Sequence, residues 1–231
     1  MHEPYIQRRG ELETYFDRTA LEAWAKLTSD APVGSIRATV RAGRDRMRAT
    51  LLDWLPADLT GCRLLDAGCG TGSLSVEAAR RGAEIVAVDL SPKLLDLARS
   101  RVPAGLPGRI TFQPGDMLDP SLGRFDHVVA MDSLIHYPAP EMARAVAELA
   151  GRTRHSLAFT FAPRTPMLSA MHAAGRLFPR ADRAPAIEPV SPRRIAHLLA
   201  GTPEAAAWRT GRSLRVKSSF YISEAMEIVV R

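Results

Sequence analysis

The chain has 231 residues, 46% of them hydrophobic, which suits one α/β domain with an appendage. No apolar run approaches the roughly 18 residues of a spanning helix, and the charged N-terminus lacks the apolar region of a signal peptide. We therefore expect a cytoplasmic protein that is able to dock on a membrane surface, and the formal net charge of +6 favours an anionic partner such as nucleic acid, acidic lipid or a polycarboxylate.

Residues 1–58 precede the first predicted strand and have mostly helical spacing. From about residue 60, short apolar runs alternate with segments of helical spacing. The predicted strands are "CRLLDAG", "EIVAVDL", "RITFQPGDM", "FDHVVAMD" and "HSLAFTFAP". Between them lie helices such as "SPKLLDLARSRV", which opens with Ser91 as N-cap and Pro92 at the first helical position. Strands and helices that alternate in this way predict a doubly wound parallel sheet.

Two regions lie outside this alternation. Residues 163–203 are rich in Pro and Arg, with short helices predicted in "TPMLSAMHAAGRLF" and "SPRRIAHLLAG" around a loop at 180–190. The C-terminal "SLRVKSSFYISEAMEIVVR" predicts two final strands as a hairpin, which makes the sheet seven-stranded and mostly parallel. We therefore predict a helical lid over 1–58 and a main domain over 59–231 with a helical insertion at 163–203. Lid and insertion are candidates to cover the crevice at the carboxyl ends of the strands, where such sheets bind ligands.

The segment "LLDAGCGTGSLS" places three glycines directly after the first strand, at Gly68, Gly70 and Gly72. A dinucleotide fingerprint has the spacing Gly-x-Gly-x-x-Gly, whereas this loop has Gly-x-Gly-x-Gly preceded by Asp66. A carboxylate disfavours a pyrophosphate beside it but favours an ammonium group. The amino-acid end of S-adenosylmethionine has that ammonium, and its carboxylate can use the N–H groups at the following helix start. The two cysteines, Cys62 and Cys69, are interpreted as small packing residues, and no metal site is predicted.

Other residues match the rest of S-adenosylmethionine. Asp89 ends the second strand, where it can accept hydrogen bonds from both ribose hydroxyls, and Leu90 follows it against the adenine. Asp116 and Met117 follow the third strand, one as an acceptor for the adenine amino group and the other packing on the ring. In this order, "LLDAGCGTG…VAVDLS…GDML" resembles the class I S-adenosylmethionine-dependent methyltransferases, with a Rossmann-like fold, over roughly residues 60–162. A Rossmann-type protein that uses these residues only as caps and turns is the alternative.

The identity of the acceptor depends on the additions to this core. The segment "MDSLIHYP" after the fourth strand lacks the Asp/Asn-Pro-Pro-aromatic element of adenine-N6 enzymes, and the nucleophilic Cys of RNA cytosine-C5 enzymes is missing, which disfavours nucleic acid. The N-terminal "ETYFDRTALEAWAKLTSDAPVGSIRATVRAGRDRMRATLLDWL", with "DSLIHYP", "FAPRTPML" and "FYIS", resembles the magnesium-protoporphyrin IX O-methyltransferases of chlorophyll and bacteriochlorophyll synthesis. This similarity spans nearly the whole chain.

The resemblance implies a reaction and partners. The acceptor would be one propionate of magnesium protoporphyrin IX, converted to its methyl ester. Magnesium chelatase, through its porphyrin-binding subunit, would deliver the substrate, and a photosynthetic membrane would lie nearby. A quinone or other small-molecule O-methyltransferase of the same fold, and a porphyrin carrier with a vestigial cofactor site, remain alternatives.

Several side chains are candidates for the acceptor site. His136 is predicted to hydrogen-bond the reacting propionate or to offer a nitrogen to the fifth coordination site of magnesium. Tyr15 is predicted to donate its hydroxyl to the propionate or to close over S-adenosylmethionine. Tyr137 is a further candidate, and Arg164 is a candidate for the second propionate. Four arginines form one helical stripe that suits an anionic ring, membrane or partner but is more often solvated, and Arg41 represents it among the substrate-binding candidates: Arg37, Arg41, Arg44 and Arg48. Three residues of the insertion are expected to pack rather than to ligate: Met167, Met171 and His172.

Overall fold

The structure, a computed structural model, describes residues 3–18, 21–29, 31–164 and 186–231. Three helices precede the sheet: α1 (Glu3–Arg18), α2 (Leu21–Leu27) and α3 (Ser35–Asp53). Four more are described in the rest of the chain: α4 (Ser73–Arg80), α5 (Pro92–Ser100), α6 (Ala139–Gly151) and α7 (Pro192–Ala200). The predicted helix "TPMLSAMHAAGRLF" lies outside the described residues, as do Met167, Met171 and His172.

One seven-stranded sheet forms the centre of the molecule, in the order β3-β2-β1-β4-β5-β7-β6. The first five strands are parallel, whereas β7 runs antiparallel to both β5 and β6. The predicted doubly wound, mostly parallel sheet with a terminal hairpin is thereby confirmed. The strands span β1 (Arg63–Ala67), β2 (Glu84–Asp89), β3 (Arg109–Pro114), β4 (Phe125–Ala130), β5 (Thr153–Phe161), β6 (Trp208–Ser218) and β7 (Tyr221–Val230).

Local sequence signals account for where these elements begin and end. The Ser91 hydroxyl accepts a hydrogen bond from the Leu94 N–H, with Pro92 at the first position of α5, as predicted. After α4, Gly82 takes a φ of 90°, a backbone conformation that glycine adopts without strain. These local signals place the ends of the helices where the alternation of strands and helices requires them.

Apolar residues on both faces of the sheet form the core. Successive residues of β1 point to opposite faces, so Leu64 packs with Met47 of α3 while Leu65 packs with Met142 of α6. α3 lies so close to the hairpin that a Cβ at Gly43 would stand 2.6 Å from Cδ1 of Tyr221. Within the described ranges, no helix has both the length and the apolar character needed to cross a bilayer.

Candidate active site

A cavity of about 260 Å³ opens at the carboxyl ends of β1, β2 and β4. The strand order reverses between β1 and β4, and ligands of doubly wound sheets bind at such a point. Helices α1, α2 and α3 form one wall of this cavity, and the loops after the strands form the other. Ten of the predicted site residues line it: Arg41, Asp66, Gly68, Gly70, Asp89, Leu90, Asp116, Met117, His136 and Tyr137.

The three loop glycines have different physical roles. All three take positive φ, with values of 81° at Gly68, 54° at Gly70 and 75° at Gly72. A Cβ at Gly68 would stand 2.3 Å from the Cβ of Ser133, and one at Gly72 would press on Ala98 and Phe112. A Cβ at Gly70 would meet no protein atom within 4 Å. Gly70 is therefore the glycine that leaves room for a ligand, whereas Gly72 does not line the cavity and serves the packing of α4.

Asp66, at the end of β1, is a buried carboxylate with only 2% of its surface exposed. One of its oxygens accepts a hydrogen bond of 2.6 Å from the Ser75 hydroxyl of α4. Burial raises the pKa of Asp66 to about 7, and the nearby carboxylate of Asp89 adds to the shift. A cation bound beside Asp66 would reverse this effect, so the site is chemically suited to an ammonium group.

Asp89, at the end of β2, ties the glycine loop to the start of α5. Its carboxylate accepts from the N–H of Gly70 at 2.8 Å and from the N–H of Ser91 at 3.0 Å. Burial raises the pKa of Asp89 above its ordinary value. Each carboxylate oxygen has a second lone pair, so the group retains the capacity to accept two hydroxyls. Leu90, the next residue, lines the cavity beside it.

Asp116 lies after β3 and is covered by α1. The Tyr5 hydroxyl donates to it at 2.7 Å, the Arg9 guanidinium at 3.0 Å, and the N–H of Leu118 at 2.9 Å. The neighbouring Met117 is buried and lines the cavity. The sequence reasoning missed Tyr5 and Arg9. Their spacing of four residues, on one face of α1, was the available signal.

His136 closes a short 3-10 turn that follows β4, from Leu134 to His136. Its Nδ1 lies 3.3 Å from the backbone oxygen of Ala186. Because a carbonyl oxygen only accepts, Nδ1 carries the hydrogen in this contact. The imidazole meets the ring of Phe16 edge-on, with 6.0 Å between centroids. Tyr137, almost wholly buried, stacks on Tyr5 at 4.9 Å, so its ring belongs to the core as well as to the cavity wall.

The arginine stripe of α3 has partners within the protein. The Arg41 guanidinium donates to three backbone oxygens, those of Lys26, Leu27 and Ala31, and so fixes the connection between α2 and α3. Arg44 donates to Asp132 and Arg48 to Asp45, and all four of these residues line the cavity. Only Arg37 on this stripe is exposed.

Two predicted acceptor residues lie away from the cavity. Tyr15 packs edge-on against Phe16, with centroids 5.2 Å apart, and is not among the lining residues. Arg164 is exposed at the end of β5, where its N–H donates to the Val190 oxygen. Phe16 and Trp24, which we had not singled out, occupy the wall instead. The Trp in the N-terminal stretch "ETYFDRTALEAW" was the signal for the second of them.

Family models match two parts of the chain. Residues 130–230 match the model described as magnesium-protoporphyrin IX methyltransferase C-terminus. Residues 64–156 match a general methyltransferase domain. The second range contains the glycine loop, Asp66 near the end of β1 and Asp89 at the end of β2.

Similar proteins cover nearly the whole chain. A magnesium-protoporphyrin O-methyltransferase of Rhodobacter capsulatus is 50% identical over 228 residues, which is 98% of this chain and 99% of the relative. The chloroplastic magnesium protoporphyrin IX methyltransferase of Arabidopsis thaliana is 30% identical over 93% of this chain and 69% of its own length. A crystal structure of magnesium protoporphyrin IX methyltransferase from Synechocystis PCC 6803 with bound S-adenosylhomocysteine has a TM-score of 0.84 at 27% identity, covering 97% of this chain and all of that one.

Proposed function

Because this chain belongs to the magnesium-protoporphyrin O-methyltransferase family, we propose that it transfers a methyl group from S-adenosylmethionine to a propionate carboxylate of magnesium protoporphyrin IX. The product would be the monomethyl ester, a step in the synthesis of chlorophyll-type pigments. The observation that carries the proposal is the meeting of Asp66, Gly70 and Asp89 in one cavity. Asp66 would hold the donor's ammonium, Asp89 the ribose hydroxyls, and Gly70 would leave space for the backbone approach.

The adenine would lie between Leu90 and Met117, which line the cavity on the same side as Asp116. The Asp116 carboxylate already binds Tyr5 and Arg9 of α1. An adenine amino group that bonds to Asp116 would therefore share this carboxylate with α1 or displace one of its donors.

Arg48 is our candidate for the donor's carboxylate. It lies on α3, which packs on α4, the helix that begins at the glycine loop. One of its nitrogens binds Asp45 at 2.9 Å, and the side chain lines the cavity. A guanidinium has five N–H donors, so this contact leaves donors for a carboxylate.

The acceptor needs positioning more than activation. A free carboxylate has a pKa near 4.3, so at neutral pH it is already the anion that attacks the methyl carbon. The oxygen–carbon bond forms as the carbon–sulfur bond breaks, and both charges disappear. Holding the carboxylate oxygen, the methyl carbon and the sulfur in line is worth several kcal/mol. Excluding water helps further, because water stabilises the charged reactants more than the neutral products. The wall formed by α1, α2 and α3 would supply that exclusion.

His136 is proposed to hold the reacting carboxylate. The imidazole would hold this carboxylate by hydrogen bonding, and because the carboxylate is already an anion, His136 needs to remove no proton. Tyr15 and Arg164 remain proposals for the two propionates, and each requires a rearrangement from its position outside the cavity wall. In His136→Gln, we expect kcat to fall by about tenfold or more with little change in the affinity for S-adenosylhomocysteine.

The direct test incubates the purified protein with S-adenosylmethionine and magnesium protoporphyrin IX and analyses the products by mass spectrometry. We expect the monomethyl ester and an equal amount of S-adenosylhomocysteine. Parallel reactions contain metal-free protoporphyrin or a quinone precursor. Methylation of either in preference to the magnesium porphyrin would contradict the proposed acceptor, and absence of any transfer would favour a carrier.

Contact with a membrane is proposed through the tip of the β6–β7 hairpin. Ile36 and Phe220 are large apolar side chains with 56% and 52% of their surface exposed, the two highest values among the exposed large apolar side chains of the described residues. The Ser218 hydroxyl donates to the Thr39 oxygen, so the hairpin tip lies beside the start of α3. Two exposed cations flank the apolar pair, and we define the hairpin-tip surface as Ile36, Arg37, Lys217 and Phe220.

Vesicle sedimentation tests this surface. We expect binding to vesicles with anionic lipid, weaker binding in high salt, and a loss of binding in Phe220→Ser. The control is Leu214→Ser, which alters another exposed apolar residue (43%) farther along β6. Equal losses in both variants would contradict a specific surface.

Delivery of the porphyrin by the magnesium chelatase subunit is the remaining partner proposal. It rests on the family alone. We expect this chain to pull down the purified chelatase subunit, and the porphyrin to strengthen the interaction. Transfer of the porphyrin from that subunit to this chain that is no faster than uptake of free porphyrin would contradict the proposal.

A further inference from the structure

A polar network outside the predicted donor contacts is centred on Asp132. This residue follows β4 and has a φ of 55°, in the left-handed region that residues other than glycine seldom adopt. Its side chain is only 5% exposed. Strained and buried residues of this kind persist where the surrounding structure holds them, and they concentrate at functional sites.

Groups from three separate elements hold Asp132 in place. Its N–H donates to Thr160 Oγ1 of β5 at 2.7 Å. Its carboxylate accepts from Arg44 of α3 at 2.5 Å and from the Tyr221 hydroxyl of β7 at 3.1 Å. The carboxylate thereby joins the helical wall of the cavity to the sheet.

The same Arg44 supports an aromatic wall. Its guanidinium lies over the ring of Trp24, with Cζ 4.5 Å from the ring centroid. Trp24 contacts Phe16 edge-on at 5.9 Å, and Phe16 contacts His136 at 6.0 Å. All four side chains line the cavity, so the wall leads from the ion pair to the imidazole proposed to hold the acceptor.

We propose that Asp132 and Arg44 are positioning residues, which hold Trp24 so that the flat macrocycle of the acceptor packs on the Trp24–Phe16 wall. The ion pair with Asp132 offsets the charge of Arg44, which makes this wall suitable for an apolar ring rather than for a carboxylate. The inference rests on the proposed function, because it assumes a porphyrin acceptor. It assigns no chemical step to either residue.

The chain provides a matched control for this arrangement. Arg212 lies over the ring of Trp54 at 5.2 Å and binds the Glu227 carboxylate at 2.5 and 2.8 Å. This second arginine–carboxylate–tryptophan group lies on β6, β7 and the end of α3, and none of its members lines the cavity. It allows the effect on packing to be separated from the effect on the acceptor.

The experiment compares Trp24→Leu and Asp132→Asn with Trp54→Leu and Glu227→Gln. Affinity for S-adenosylhomocysteine is measured by calorimetry, affinity for magnesium protoporphyrin IX by its Soret absorbance, and KM and kcat for the porphyrin by product formation. We expect both cavity variants to weaken porphyrin binding and raise its KM by about tenfold, with S-adenosylhomocysteine affinity within about twofold of wild type. Trp24→Phe should keep much of the porphyrin affinity that Trp24→Leu loses. The control pair should lower Tm without changing either affinity.

Three outcomes would overturn the inference. Porphyrin affinity that is unchanged in Trp24→Leu would exclude the aromatic wall. Parallel losses of porphyrin and S-adenosylhomocysteine affinity would indicate a general structural role. Tighter porphyrin binding in Asp132→Asn would show that Arg44 binds a carboxylate of the acceptor directly. Should Asp132→Asn fail to fold, Trp24→Leu and Trp24→Phe carry the test. Failure of the proposed function would be distinguishable, because the wild-type protein itself would then not methylate magnesium protoporphyrin IX.

Discussion

If Asp66 holds the donor's ammonium as proposed, its raised pKa makes donor binding dependent on pH. The free protein holds this buried carboxyl with a pKa of about 7, so near neutrality it is only partly ionised. The donor's ammonium would bind the ionised form, so the protein would have to lose a proton when it binds the donor below pH 7. Affinity should fall as the pH is lowered through this range.

The magnitude follows from the ionised fraction. With a pKa of about 7, Asp66 is roughly three-quarters ionised at pH 7.5 and about one-tenth ionised at pH 6, so the apparent Kd should rise about eightfold. Calorimetry with S-adenosylhomocysteine at both pH values measures this change. At pH 6, titrations in two buffers of different ionisation enthalpy should reveal the release of nearly one proton. Asp66→Asn retains Asp89, and we expect weak binding without this component of the pH dependence.

The same pKa has an opposite consequence for the stability of the free protein. The folded state binds a proton at Asp66 more tightly than the unfolded chain does, in which the pKa of this carboxyl is near 3.8. Stability therefore falls as the pH rises from about 4 through 7, and the ionised group costs roughly 4 kcal/mol at most. Asp66→Asn should raise the Tm of the free protein at pH 7.5 while it weakens donor binding. Donor affinity that is independent of pH, with no proton release, would refute the reasoning.

Three further results are expected from packing and burial. Gly68→Ala should lower stability and abolish donor binding, because its Cβ would meet the Cβ of Ser133 at 2.3 Å and its φ is positive. Adding Ser133→Gly should recover part of the lost stability, with stability measured by circular dichroism and binding by calorimetry. Gly43→Ala should lower the free energy of unfolding by about 1–3 kcal/mol through contact with Tyr221, and an unchanged urea midpoint would contradict this. Burial raises the pKa of the Cys69 thiol, so iodoacetamide at pH 8 should leave it unmodified in the folded protein, as mass spectrometry would detect.

Local signals in the sequence were sufficient for the elements of the sheet. Apolar runs of strand length, helical spacing between them, and the Ser91–Pro92 cap depend on neighbouring residues, and the structure confirms each of them. The glycine loop is equally local, since Asp66 and Gly70 lie four residues apart. Their geometry at the end of a strand follows from the strand–turn–helix pattern itself.

The wall of the cavity formed by α1, α2 and α3 could not be predicted in this way. The spacing of the α3 arginines was correct for one helical face, but it did not show which group each guanidinium would meet. Arg44 binds Asp132, 88 residues away, and Arg41 is bound to backbone oxygens of the preceding connection. Tyr5 reaches Asp116 across 111 residues. Periodicity indicates which residues share a face, but not which groups that face will meet.

The sequence by itself determined the doubly wound fold, the glycine loop and the carboxylates at the ends of β1 and β2, because each arises from interactions among residues within one βα unit. Only the tertiary structure decided which arginines are already neutralised and which aromatic rings form the wall of the cavity. Those features depend on the packing of α1, α2 and α3 against the ends of strands far away in the chain. Local patterns in the sequence do not show such contacts.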